Sequence, residues 1–180
     1  MKRLLFIILL FIPSNSFAND KGWGLLKEGN KIVFIRHSLA PGGGDPSNFN
    51  LTKCSTQRNL NQTGINQSKK IGELFKKNKV PIDKILSSQW CRCKDTAFHA
   101  FSNYKTFNGL NSFYSKKFYK NKSKQIKKLK NFIKNSDNDT NLVLVTHYVV
   151  ILELLGVGPE SGEIIISNKN YEIIDRIEIN

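Results

Sequence analysis

Short apolar runs alternate with stretches of helical periodicity along most of the chain, the pattern expected of strands buried in a sheet and helices that cover it. Lys31–Ile35 reads as a short buried strand, and Ile65, Ile71, Leu74 and Phe75 fall on one face of a following helix. The Val80-Pro81 pair closes that region, because a residue before proline is turned away from helical geometry. Lys84–Leu86 reads as a strand leading into a helix from about Cys91, and Ile126, Leu129 and Ile133 mark an amphipathic helix with lysines between them. Leu142–Val145 is the clearest strand, followed by an apolar helix to Leu155. Ile164–Ile166 and Ile173–Ile179 are rich in β-branched residues, and Asn168-Lys169-Asn170 between them suits a hairpin turn. The whole predicts an α/β fold, a three-layer sandwich with a mostly parallel central sheet and helices on both faces.

The N-terminus has a different character. Lys2 and Arg3 precede an unbroken apolar run, Leu4–Ile12, which is too short to span the roughly 30 Å of a bilayer's hydrocarbon. Ser16-Phe17-Ala18 supplies a small-x-small cleavage pattern. Residues 1–18 therefore read as a secretory signal peptide and 19–180 as one exported domain, periplasmic or secreted, with no stable membrane anchor after cleavage. A chain of 180 residues with 39% hydrophobic positions supports one such domain with its own core.

Charge sharpens the picture in one place. The chain carries +14, and the span from Thr96 to Ser136 holds ten lysines with no Asp or Glu. Most of this charge reads as the solvated face of a helix. Nucleic acid is not an expected partner, since the aromatic residues of the span form no stacking motif. The three cysteines, Cys54, Cys91 and Cys93, imply one disulfide and one leftover thiol in an oxidising compartment. Cys91-Arg-Cys93 lacks metal-ligand spacing and a histidine partner, so neither a metal site nor a cofactor is expected.

Candidate chemistry gathers just past the predicted strands, where open α/β sheets bind ligands. Arg36-His37 follows Val33-Phe34-Ile35, Arg92 follows Leu86-Ser87-Ser88, and His147 follows Leu144-Val145-Thr146. A single histidine at a strand end is ordinarily structural; two beside two arginines change that reading. The planar fork of an arginine matches phosphate oxygens, so Arg36 and Arg92 together suit a phosphoryl group. His37 is then placed to attack phosphorus and form a phosphohistidine, with His147 as a further donor to the phosphoryl oxygens.

These residues make the sequence resemble the histidine phosphatase superfamily, whose fold is that of the phosphoglycerate mutases. The match runs through Ile35-Arg36-His37, Leu60 to Gln67, Ser88 to Ala97 and Val145-Thr146-His147, in the family's order. Arg36 to Gly42, Cys54 to Leu60 and Trp90 to Arg92 look most like small exported members related to a lipopolysaccharide-core heptose phosphate phosphatase. The resemblance implies a phosphomonoester hydrolase, metal-independent, acting through phosphohistidine on a phosphorylated small molecule or envelope glycan. It makes His37, Arg36, Arg92 and His147 the catalytic set and adds Arg58, in Gln57-Arg58-Asn59, as a phosphate contact. Cys54 is expected to pair with Cys91 in preference to Cys93, tying the loop after the nucleophile to the Arg92 helix.

One departure stands out. Mutase-like members take a general acid from a glutamate between the second arginine and the second histidine, where this chain has no carboxylate from Thr96 to Ser136. Asp45, Glu160 and Glu163 are the candidates, with Glu163 favoured and Asp45 also a substrate contact from the Gly-rich loop after the nucleophile. The alternative is a non-catalytic envelope protein that has lost its acid and only binds phosphate or a polyanion.

Overall fold

The computed structural model describes residues 15–137 and 139–179. The apolar run of the proposed signal peptide lies outside them, and the junction after Ala18 falls in the first helix. None of the described helices is long and apolar enough to cross a membrane.

Six strands form one sheet: β1 Ile32–Arg36, β2 Ile82–Ser87, β3 Lys105–Thr106, β4 Asn141–Thr146, β5 Ile164–Ser167 and β6 Ile173–Ile177. Their order is β3-β2-β4-β1-β5-β6. The first four run parallel, while β5 pairs antiparallel with β1 and closes the sheet as a hairpin with β6. The mostly parallel sheet expected from the sequence is thus present, edged by the expected hairpin.

Helices cover both faces. On one side α1 (Asn15–Glu28), α2 (Gln62–Lys77) and α3 (Cys91–Phe101) bury Trp23, Leu26, Ile71, Phe75 and Ala97 against Val33, Ile35, Val143 and Val145. On the other, α5 (Lys122–Lys134) and α6 (Tyr148–Leu155) bury Ile126, Leu129, Ile133, Val150 and Ile151 against Phe34, Leu142 and Leu144. A short helix, α4 (Lys116–Tyr119), precedes α5. Successive residues of β1 and β4 leave on opposite faces, which is why both strands are apolar at every central position.

The register decides where the chemistry goes. Ile35 lies opposite Val145 and Arg36 opposite Thr146, so His37 and His147 emerge one step beyond two adjacent parallel strands. The His37 amide still bonds to the Thr146 carbonyl at 2.9 Å, and the Ser88 amide to the Val145 carbonyl at 3.0 Å. Three neighbouring strands, β2, β4 and β1, therefore deliver Ser88, His147 and His37 to the same edge.

Candidate active site

A cavity of about 220 Å³ opens at that edge. Arg36, His37, Asp45, Arg58, Arg92 and His147 line it, so six of the eight residues proposed from the sequence for catalysis or substrate binding share one pocket, Glu160 and Glu163 being the exceptions. Trp90, Phe118, Tyr114 and Tyr148 form an aromatic wall that the sequence pattern did not predict. Trp90 is fixed by ring contacts with Phe49 and Phe118 at 5.1 and 5.3 Å.

His37 is buried, and its two ring nitrogens have different partners. Nδ1 lies 2.8 Å from the Ser38 carbonyl, which can only accept, so Nδ1 carries the proton. Nε2 accepts from Arg92 Nε at 3.2 Å, so its single lone pair is held by that bond and becomes available only when Arg92 gives it up. Burial, and then the Arg92 charge, hold the His37 pKa well below the ordinary 6.5. The imidazole is neutral, as a nucleophile must be. Behind it the Ser38 amide donates to Thr96 Oγ1 at 2.9 Å, Thr96 Oγ1 donates to the Arg92 carbonyl at 2.7 Å, and Ser68 Oγ donates to Ser38 Oγ at 2.7 Å. These bonds lock the loop after β1 to α3 and α2.

His147 is also neutral, its pKa pushed well below 6.5 by burial first and Arg92 second. Its ring partners fix the tautomer: Nδ1 accepts from Arg92 Nη2 at 3.4 Å, and Nε2 lies 2.8 Å from Ser88 Oγ. Ser88 Oγ donates in turn to Asn111 Oδ1 at 3.2 Å. In this state both ring nitrogens of His147 are engaged, Nδ1 by Arg92 and Nε2–H by Ser88, and His147 does not present to the pocket the free donor expected from the sequence. Asn111 was invisible in the sequence because it sits in an irregular stretch with no periodicity to mark its direction.

The arginines converge from three segments. Arg36, at the end of β1, donates from Nη1 to the Pro159 carbonyl at 2.8 Å and lies 5.5 Å from the Tyr148 ring centre. Arg58 braces the Gly-rich loop, donating from Nη1 to the carbonyls of Ala40 and Gly42. Arg92, in the first turn of α3, is buried at 3% exposure, a position that a guanidinium holds only when paired. Its partner is Asp45, with Nη1 to Oδ1 at 2.7 Å.

Glu163 is the residue the structure moves out of the site. Its side chain is buried on another side of the β1 end, where Oε1 accepts from Arg176 Nε at 2.6 Å and Oε2 from the Glu160 amide at 2.6 Å. Glu163 and Glu160 line a separate cavity with Glu178 and Gln67. A carboxylate saturated by an ion pair and a backbone amide, with no face on the pocket, is not the proton donor expected of it.

Cys54 and Cys91 are joined by a disulfide, and Cys93 is a buried thiol. The bond links the segment after the Gly-rich loop to the first residue of α3, one position before Arg92. Burial raises the Cys93 thiol to about 12, so it stays protonated against Thr146 and His147.

Comparison with known proteins places this geometry among others. No family model matches the sequence, and no curated protein matches it. Solved structures do. A protein from Agrobacterium tumefaciens named as the phosphohistidine phosphatase SixA matches at 17% identity with a TM-score of 0.57, over 83% of this chain and 99% of its own. The protein histidine phosphatase SixA complexed with tungstate matches at 15% identity and a TM-score of 0.52, over 82% of this chain and 96% of its own. Phosphoglycerate mutase from Thermus thermophilus matches at 13% identity and a TM-score of 0.58, over 83% of this chain and 99% of its own. TM-scores above 0.5 with near-complete coverage of these neighbours show that the chain has the phosphoglycerate mutase-like fold.

Proposed function

We propose that the protein is a phosphomonoester hydrolase working through a phosphohistidine at His37. The observation that carries this reading is the convergence of a neutral, lone-pair-bearing His37 with Arg36, Arg58, Arg92 and His147 in one cavity. His37 Nε2 attacks phosphorus, the P–N bond forms, and the P–O bond to the leaving group breaks. The Ser38 carbonyl, on Nδ1–H, stabilises the charge that develops on the ring. The arginines and the starts of α3 and α6 oppose the charge on the phosphoryl oxygens. Water then attacks phosphorus, the P–N bond breaks, and phosphate leaves with His37 neutral again.

The proton for the leaving oxygen has no free carboxylic acid to come from in the pocket. Asp45 is the one carboxylate among the described lining residues, and both its oxygens already accept hydrogen bonds. Leaving groups that depart unaided, such as phenolates, are therefore the fastest. Lys116, Lys117 and Lys120 stand exposed on and beside α4, whose Phe118 lines the cavity, so the mouth favours a substrate with anionic groups beyond its phosphate. A phosphorylated envelope component fits this character. The signal-like N-terminus, the Cys54–Cys91 bond and the segments resembling heptose phosphate phosphatase relatives support action outside the cytoplasm.

The same absence of a free acid favours a second reading, phosphate or polyanion binding without turnover. An aryl phosphate assay in the presence of a chelator separates the two. Turnover is expected, with a phosphoryl group trapped by an alkaline quench, mapped to His37 by mass spectrometry and lost in His37→Ala. Wild-type turnover in His37→Ala overturns the mechanism. No turnover with measurable phosphate binding selects the binding protein.

A further inference from the structure

An arginine fork in a phosphate pocket is expected to be free to grip an incoming anion, yet the fork of Arg92 is full. Asp45 Oδ1 accepts from Nη1 at 2.7 Å and Oδ2 from Nη2 at 3.3 Å, the two-pronged grip that guanidinium gives to phosphate. The Arg58 amide and Trp90 Nε1 complete the seat with bonds of 3.2 and 3.0 Å. Side-chain exposures of 4% for Arg92 and 16% for Asp45 keep the pair largely out of water, where such an attraction is strong.

The loop that brings Asp45 there has open space beside it. Gly42 and Gly44 adopt positive φ of +92° and +75°, and a Cβ built on Gly43 or Gly44 meets nothing within 4 Å. The turn thus favours glycine at both positions, and nothing crowds Gly43 or Gly44. Its neighbours on either side are fixed, by Arg58 to Ala40 and by the disulfide at Cys54.

We propose that Asp45 is a resident surrogate for the phosphoryl group, filling the Arg92 fork in the resting protein and giving it up to the phosphate of the substrate. Binding is then the exchange of one anion for another. The exchange lowers the apparent affinity of every anion that takes the fork by the same factor, and a phosphomonoester dianion, with the stronger pull on the guanidinium, is the ligand best able to complete it. The resting affinity for phosphate is lowered by the fraction of molecules whose fork is free. The proposal rests on the phosphatase reading for its ligand, but its test reads binding and not turnover.

Wild type, Asp45→Asn and Asp45→Ala are titrated by calorimetry with inorganic phosphate, methyl phosphate and dimethyl phosphate, after thermal unfolding shows each to be folded. Both variants are expected to bind phosphate about tenfold tighter than wild type or more. Equal or weaker phosphate binding in both variants overturns the proposal and leaves Asp45 as an orienting partner of Arg92. A second measurement needs no variant. Because Trp90 Nε1 donates to Asp45, its indole N–H resonance is expected to shift when phosphate binds wild type, and an unmoved resonance at saturation overturns the proposal. Intact turnover with either negative result sinks this proposal alone, whereas phosphate binding to none of the three proteins sinks the phosphatase reading with it.

Discussion

His37 and His147 are neutral for the same physical reason, since both are buried beside Arg92, and that fixes how acid affects the protein. A histidine unfolded in water takes up a proton near 6.5, whereas these two do so only at lower pH. Below about 6.5 the unfolded chain binds more protons than the folded one, so the stability these residues contribute is complete above that pH and declines as pH falls beneath it. The expected outcome is that ring-proton NMR shifts of both residues titrate below 6.5, and that wild type loses more stability between about pH 7 and pH 5 than a His37→Asn/His147→Asn double variant. A titration midpoint at or above 6.5 contradicts the geometry. The residues legible in the sequence were those whose position at a strand end also settles their direction, as with His37, Arg92 and His147. Glu163 misled because a carboxylate one residue before β5 can leave on either side of the sheet, and sequence spacing does not choose between them.

Helices and strands were legible where periodicity was strong and obscure where docking replaced it. The β4 strand and the amphipathic α5 were plain, but α1 was not, because Gly22 and Gly24 weaken its propensity and its place is held by Trp23 against Phe75, with ring centres 5.4 Å apart. The Gly-x-x-Gln pattern at Gly64 and Gln67 has a packing reason that only the structure shows. A Cβ at Gly64 would overlap the Leu39 carbonyl, so α2 can approach the nucleophile's loop only with glycine there. The Cys54–Cys91 bond acts between such elements, closing a separation of 37 residues. Its reduction is expected to lower stability by about 2–4 kcal/mol in denaturant unfolding. Because the bond ties the Arg58 segment to the start of α3, phosphate affinity should fall before global unfolding begins. Thiol counting checks the arrangement: none should react in the native protein, and one per chain should react after denaturation without reductant. One reactive thiol in the native state would contradict the buried Cys93, and three after denaturation would contradict the Cys54–Cys91 bond.

Over the molecule as a whole, charge is segregated: the ten lysines of the Thr96–Ser136 span carry most of the excess, and part of that span walls the cavity. KM for an anionic phosphomonoester is expected to rise with ionic strength while kcat changes little, because salt screens the approach of substrate more than the buried contacts. Replacing Lys116, Lys117 and Lys120 with serine should flatten that salt dependence, and a salt response identical to wild type would place the attraction elsewhere. The order of the sheet has a further consequence, for the making of the protein. β1 is the first strand to be synthesised but sits between β4 and β5, so both of its edges stay open until residues 141–167 arrive. A nascent chain ending anywhere before β4 carries the nucleophile on an unpaired apolar strand with no second histidine beside it. A chain that stops before β4 therefore lacks half of the pocket's histidines and presents an open apolar strand edge, the feature that promotes association between chains.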